Sequence, residues 1–135
     1  MRIALVVALV LLSTTRALGQ SIGPGPAYCG KSFFVSAGAT AMTQQVAPVA
    51  GARVVICGYV LNAGAAAATF LLSYGTGSNC GTGTTALTPT FSLPINGVVA
   101  NRGVTVGEAT AVGSALCYTI TGTGPMNAVV YYDQY

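Results

Sequence analysis

Short apolar runs rich in β-branched and aromatic residues recur along this chain, separated by clusters of Gly, Pro, Ser and Asn. The two richest, 53–61 (RVVICGYVL) and 69–74 (TFLLSY), hold the Val, Ile, Tyr and Phe side chains that pack well on a pleated surface. We expect them to form a core hairpin, joined by the stretch NAGAAAA at 62–68. Alanine favours helix, but so short and uncapped a piece is marginal as one, and we read it as a loop. A period of two puts Val54, Ile56, Gly58 and Val60 on one face of the first run and Val55, Cys57, Tyr59 and Leu61 on the other. A strand apolar on both faces belongs at the centre of a sheet or at a contact between subunits.

Further strands are expected at 28–36, 43–49, 86–93, 98–100, 104–106, 116–121 and 128–132. Pro89 pushes the 86–93 piece toward an edge or a bulge. The loop 75–83 (GTGSNCGTG) and the stretch Gly122-Thr123-Gly124-Pro125 carry turn residues, and Asn96-Gly97 is a strong hairpin turn. About eight short, evenly spaced strands with Gly-rich turns predict an all-β fold, an antiparallel β-sandwich of jelly-roll type.

The first nineteen residues change the picture. Met1-Arg2 opens a wholly apolar run at 3–12, half the length of a membrane span, and Ala17 and Gly19 precede Gln20 as small residues at a cleavage site. We read 1–19 as a cleaved signal peptide, 20–27 as a Gly/Pro-rich leader and 28–135 as one β-sandwich domain. The product is then secreted, extracellular or periplasmic, with no membrane attachment after cleavage. About 115 residues suffice to bury roughly two thirds of the unfolded surface in a single core.

Charge is scarce. The mature chain keeps Lys31, Arg53 and Arg102 against Glu108 and Asp133, and histidine is absent. Nucleic acids and anionic membranes need clustered Lys and Arg, so neither is expected as a partner. The charged fraction of 5% is far below the roughly 25% of ordinary soluble domains, so the exposed faces must be uncharged polar or covered by neighbouring subunits.

The same scarcity bears on chemistry. General acid-base catalysis draws on His, Asp, Glu, Lys, Tyr and Cys placed together, and this pool is thin. Glu108 and Asp133 would serve as a glycosidase pair only within about 5 to 9.5 Å of each other. No GxSxG or SxxK pattern occurs. We therefore expect no enzyme activity, no cofactor and no metal. Four cysteines, Cys29, Cys57, Cys80 and Cys117, remain in an exported chain and predict two disulfides, and without a CxxC pair or a histidine they do not suggest zinc. Of three connectivities, alternating strand directions in a jelly roll favour Cys57–Cys80 and Cys29–Cys117.

Three stretches, VVICGYVLNAGAAAATFLLSYGTGSNCGTGTTAL, ALCYTITG and NAVVYYDQY, together resemble a group of small, uncharacterised jelly-roll proteins of phage structural modules and environmental bacterial genomes. The resemblance implies a virion decoration or fibre-associated subunit, whereas the signal peptide points to an exported surface or appendage subunit. Two readings follow. One is a non-catalytic structural subunit that self-associates as a homo-oligomer, with Tyr59, Tyr131 and Tyr132 as candidate interface residues. The other is a secreted glycan-binding or adhesion module, in which exposed tyrosines and loop amides recognise a surface glycan.

Overall fold

In the computed structural model, which describes residues 29–101 and 108–135, the described residues form nine strands and one 3-10 turn. The strands are β1 (Lys31–Ala37), β2 (Thr40–Val46), β3 (Val54–Ala63), β4 (Ala68–Thr76), β5 (Thr82–Ala86), β6 (Phe91–Leu93), β7 (Val98–Asn101), β8 (Ala115–Gly122) and β9 (Met126–Gln134). The 3-10 turn, Ser78–Cys80, joins β4 to β5. The expected signal peptide, the leader and the strand at 104–106 lie outside the described residues.

All pairings are antiparallel, in two sheets. The first has the order β1-β9-β3-β7; the second has the order β2-β8-β4-β5, with β6 also pairing β4. Their inner faces share one core, to which the first sheet contributes Val35, Ile56, Leu61 and Val130 and the second Phe70, Leu72, Leu116 and Ile120. Tyr59 of β3 meets Phe91 of β6 across it, ring centroids 4.8 Å apart. The fold is thus an all-β sandwich, as expected.

The expected core hairpin does not form. β3 and β4 belong to opposite sheets, and residues 64–67 turn the corner between them. Two neighbouring turns anchor that corner: the Gly64 N–H donates to the Pro125 carbonyl at 3.0 Å, and the Asn96 N–H donates to the Gly64 carbonyl at 2.9 Å. Glycine is required at 64, because a Cβ there would stand 2.9 Å from the Pro125 oxygen. Asn96-Gly97 also turns, with the Gly97 N–H donating to the Pro94 carbonyl at 2.8 Å and Asn96 at φ 56°. It too links the sheets rather than closing a hairpin, since β6 pairs β4 and β7 pairs β3.

Of the expected strand at 86–93 only Phe91–Leu93 forms one, β6; Ala86 ends β5, and 87–90 lie between the two. β5 pairs the C-terminal half of β4 and β6 the N-terminal half. At the break the Leu87 N–H donates to the Leu72 carbonyl at 2.8 Å, and the Thr88 hydroxyl accepts the Leu72 N–H at 3.2 Å. A side chain thus completes the edge of β4 where the backbone leaves it, so this buried amide keeps a partner.

Cys57 alters the faces of β3. Ile56 lies opposite Tyr132 and Gly58 opposite Tyr131, so β3 holds one extra residue there, a β-bulge. Alternation restarts beyond it. Val54, Ile56, Tyr59, Leu61 and Ala63 all turn inward and are buried, while Val55 and Val60 are only half-buried and Asn62 is exposed. The uninterrupted period of two, which put Tyr59 and Val54 on opposite faces, fails at this residue.

Both disulfides differ from the expected pairing: Cys29 bonds Cys57, and Cys80 bonds Cys117. The expectation failed because it rested on β3 and β4 sharing a sheet. Once they part, Cys57 stays with the first sheet and Cys80 follows β4 into the second, beside β8, where Cys117 pairs with Ser73. One bridge therefore ties Cys29, ahead of β1, to β3, and the other ties the 3-10 turn to β8, each within one sheet's side of the fold. β9 separates β1 from β3, so those strands run roughly 9 to 10 Å apart. Because the Cα atoms of Cys29 and Cys57 are 6.0 Å apart, residues 29–30 leave the line of β1 toward β3.

Candidate functional site

The titratable side chains are scattered. Val55 pairs with Asp133 of β9 on one side and bridges Ala109 on the other. The 108–110 segment is held to β3 by three bonds. The Ile56 N–H donates to the Glu108 carbonyl at 3.0 Å, the Thr110 N–H to the Val54 carbonyl at 2.9 Å, and the Val54 N–H to the Thr110 hydroxyl at 3.0 Å. Opposed residues share a face, so Asp133 lies on the outer side of the sheet with Val55. The Glu108 Oε2 atom is buried without a hydrogen-bond partner, and burial pushes this carboxyl above the ordinary carboxylate range.

All four cysteines are consumed in disulfides, which leaves no thiolate for metal or nucleophilic chemistry. Among the described residues no group of three or more His, Cys, Asp or Glu side chains comes together. No helix among them is long and apolar enough to cross a membrane.

The tyrosines divide between core and surface. Tyr59, expected at a subunit contact, is only 7% exposed and packs inside on Phe91, a direct result of the bulge at Cys57. Tyr118 is also in the core, its ring stacked near Phe70. Neither can serve as a glycan platform. On β9 the two neighbours part as alternation requires: Tyr132 turns inward against Phe33, ring centroids 6.0 Å apart, and Tyr131 turns outward opposite Ser32 and Gly58.

The two outer faces differ. On the second sheet, Thr69 lies between Ser92 and Thr121, with the Thr69 and Thr121 hydroxyl oxygens 2.5 Å apart. Farther along that face Cys80, Cys117 and Ala115 are fully buried with Met42 against them. There the Asn79 side-chain oxygen accepts the Gln44 N–H at 3.1 Å, which ties the 3-10 turn to β2.

On the first sheet the register aligns Phe34, Val129, Val60 and Ala100 in one apolar band that crosses all four strands. Phe34 is 63% exposed, and Val98, one row away on β7, is 59% exposed. A row of Ser36, Asn127 and Asn62, ending in Val98 on β7, borders the band on one side, and Tyr131 lies on the other. Phe34 and Val98 were not singled out as candidates from sequence, because Phe33-Phe34-Val35 reads as a continuous apolar run in which the outward residue is not marked.

No family model matches the chain, and no curated protein matches it. Among solved structures, a crystal structure of PirA is similar with a TM-score of 0.42 and 14% identity, over 75% of this chain and 92% of that chain.

Proposed function

We propose that the mature protein is a non-catalytic, exported structural subunit that self-associates through its first sheet. The apolar band Phe34–Val129–Val60–Ala100 is the observation that carries this reading. A large aromatic with most of its area in water, continuous with half-buried Val129 and Val60 on the next two strands and with exposed Ala100 on the fourth, gains by transfer to an apolar contact at about 25 cal/mol per Å² covered. Few charges oppose such contact: Lys31, Arg53, Arg102, Glu108 and Asp133 nearly cancel. Two disulfides within one small domain are compatible with an oxidising compartment, which supports export.

The strand order supports a jelly-roll winding. The first strand pairs with the last and the second with the next-to-last, and β3 and β4 add to the two sheets in turn. Such a subunit suits a particle surface, fibre or appendage, in line with the resemblance to phage structural proteins.

Light scattering on the secreted product at micromolar concentration tests the reading. An oligomer of fixed size is expected, with Gln20 or Ser21 as the first residue by intact mass. A strictly monomeric species overturns it.

A further inference from the structure

The geometry points to β1 as the contact strand, pairing antiparallel with β1 of a second copy about a two-fold axis through Phe34. This rests on the self-association just proposed and specifies its surface. β1 is an edge strand: β9 pairs it on one side, and no described strand lies beyond it on the other. Its seven residues run against β9 without a register shift. The other edges lack that regularity. β2 shifts register twice against β8, β5 shifts once against β4, and β6 and β7 have only three and four residues. Bulged and short edges resist pairing with another chain, whereas a long regular edge templates it.

The sequence of β1, KSFFVSA, nearly mirrors itself about its centre. With Phe34 opposite its own copy, Phe33 faces Val35, Ser32 faces Ser36, and Lys31 faces Ala37. The three inner pairings are matched in polarity, and the outermost sets Lys31 against Ala37, which keeps the one charge from its like. A slip of a single residue would oppose an inward side chain to an outward one and is excluded by the cores on both sides. The next allowed centres, Phe33 and Val35, set Phe34 against serine. Only the Phe34 centre joins two exposed aromatic rings, and it makes the apolar bands of the two copies continuous across eight strands.

Cysteine cross-linking of the full secreted chain distinguishes this register. Directly opposed Cβ atoms stand about 4.5 to 5.5 Å apart, within reach of disulfide formation. Phe34→Cys should therefore give a covalent dimer under mild oxidation, with peptide mapping joining position 34 to itself. Position 36 lies about 13 Å from its own copy in this register, so Ser36→Cys alone should stay uncrosslinked, and should link when mixed with Ser32→Cys. Phe34→Lys, which sets like charges face to face, should weaken association on the order of tenfold. If the wild-type chain is oligomeric but Phe34→Cys does not cross-link, or Ser36→Cys links to itself equally well, this interface is wrong while self-association stands. A monomeric wild-type chain overturns both.

Discussion

Removing the Cys80–Cys117 bridge should cost distinctly more stability than removing Cys29–Cys57, although loop length barely separates them. The two bridges close sequence separations of 37 and 28 residues. In the chain-entropy model those lengths correspond to about 3.9 and about 3.6 kcal/mol at 25 °C, a difference too small to measure. Surroundings decide the order. Cys80 and Cys117 are fully buried, packed with Ala115 and Met42, whereas Cys29 and Cys57 are each partly exposed. Replacing both buried cysteines with alanine removes two sulfur atoms from a closed cluster and leaves a void, at about 1 kcal/mol per atom. The total for Cys80→Ala/Cys117→Ala is then about 6 kcal/mol, against about 3.6 kcal/mol for Cys29→Ala/Cys57→Ala.

An ordered domain of about 110 residues has an unfolding entropy near 0.23 kcal/mol per kelvin, so these losses correspond to drops in Tm of about 25 °C and about 16 °C. Toward the lower end of a typical stability of about 5 to 15 kcal/mol, the first variant loses all of it and the second stays folded. Thermal and urea denaturation followed by circular dichroism, on both double variants under non-reducing conditions, measures the order. An equal or larger loss from the Cys29/Cys57 pair would refute the reasoning, because it would mean that burial of the Cys80–Cys117 cluster adds nothing to the closed loop.

Gly75→Ala should destabilise through the same cluster, since a Cβ at 75 would stand 2.9 Å from the carbonyl oxygens of both Cys80 and Thr82; a loss of about 1 to 3 kcal/mol by urea denaturation is expected, and an unchanged midpoint would refute it. Glu108→Gln should remove a pH dependence. Burial raises the folded carboxyl above its unfolded value, so the folded state holds the proton more tightly and stability falls as pH rises from the ordinary carboxylate range through the raised value. The variant should be the more stable at neutral pH, with a flatter profile of Tm against pH across that window; parallel profiles would refute the assignment.

Strand positions were legible in the sequence because the apolar runs are short and bounded by turn residues. β1, β3, β4, β8 and β9 overlap their expected ranges closely. β5 was not legible: Thr82–Ala86 is exposed throughout and carries no apolar alternation, so it reads as loop. Strand partnership was not legible either. The turns at 94–97 and 122–125 have turn composition and 64–67 is a short alanine-rich loop, yet each passes between sheets. What directs them is the mutual anchoring of Gly64, Asn96 and Pro125, three residues far apart in the chain. The disulfide pairing followed from that partnership and failed with it. Of the candidate interface residues, Tyr131 is on the outer face as alternation allows, Tyr132 is on the inner side and Tyr59 is in the core.

The bulge at Cys57 explains why one face of the first sheet is apolar enough to matter yet not uniformly so. Without the extra residue, Tyr59, Leu61 and Ala63 would turn outward and Val60 and Asn62 inward, exposing an aromatic and a leucine and burying an amide. With it, the five inward residues of β3 all reach the core, and the outward side keeps only Val55, Cys57, Gly58, Val60 and Asn62. Of these, Val60 alone lies in the row of Phe34 and Val129, while Asn62 falls in the next row beside Asn127. The bulge thus leaves Val60 as the contribution of β3 to the band whose most exposed member, Phe34, sits on the edge strand. A wide apolar face would favour indiscriminate stacking, whereas a single band ending at a regular edge favours one register with one partner strand. Cys57, bonded to Cys29 two residues ahead of β1, also ties the start of that edge strand to the bulge that shapes the band.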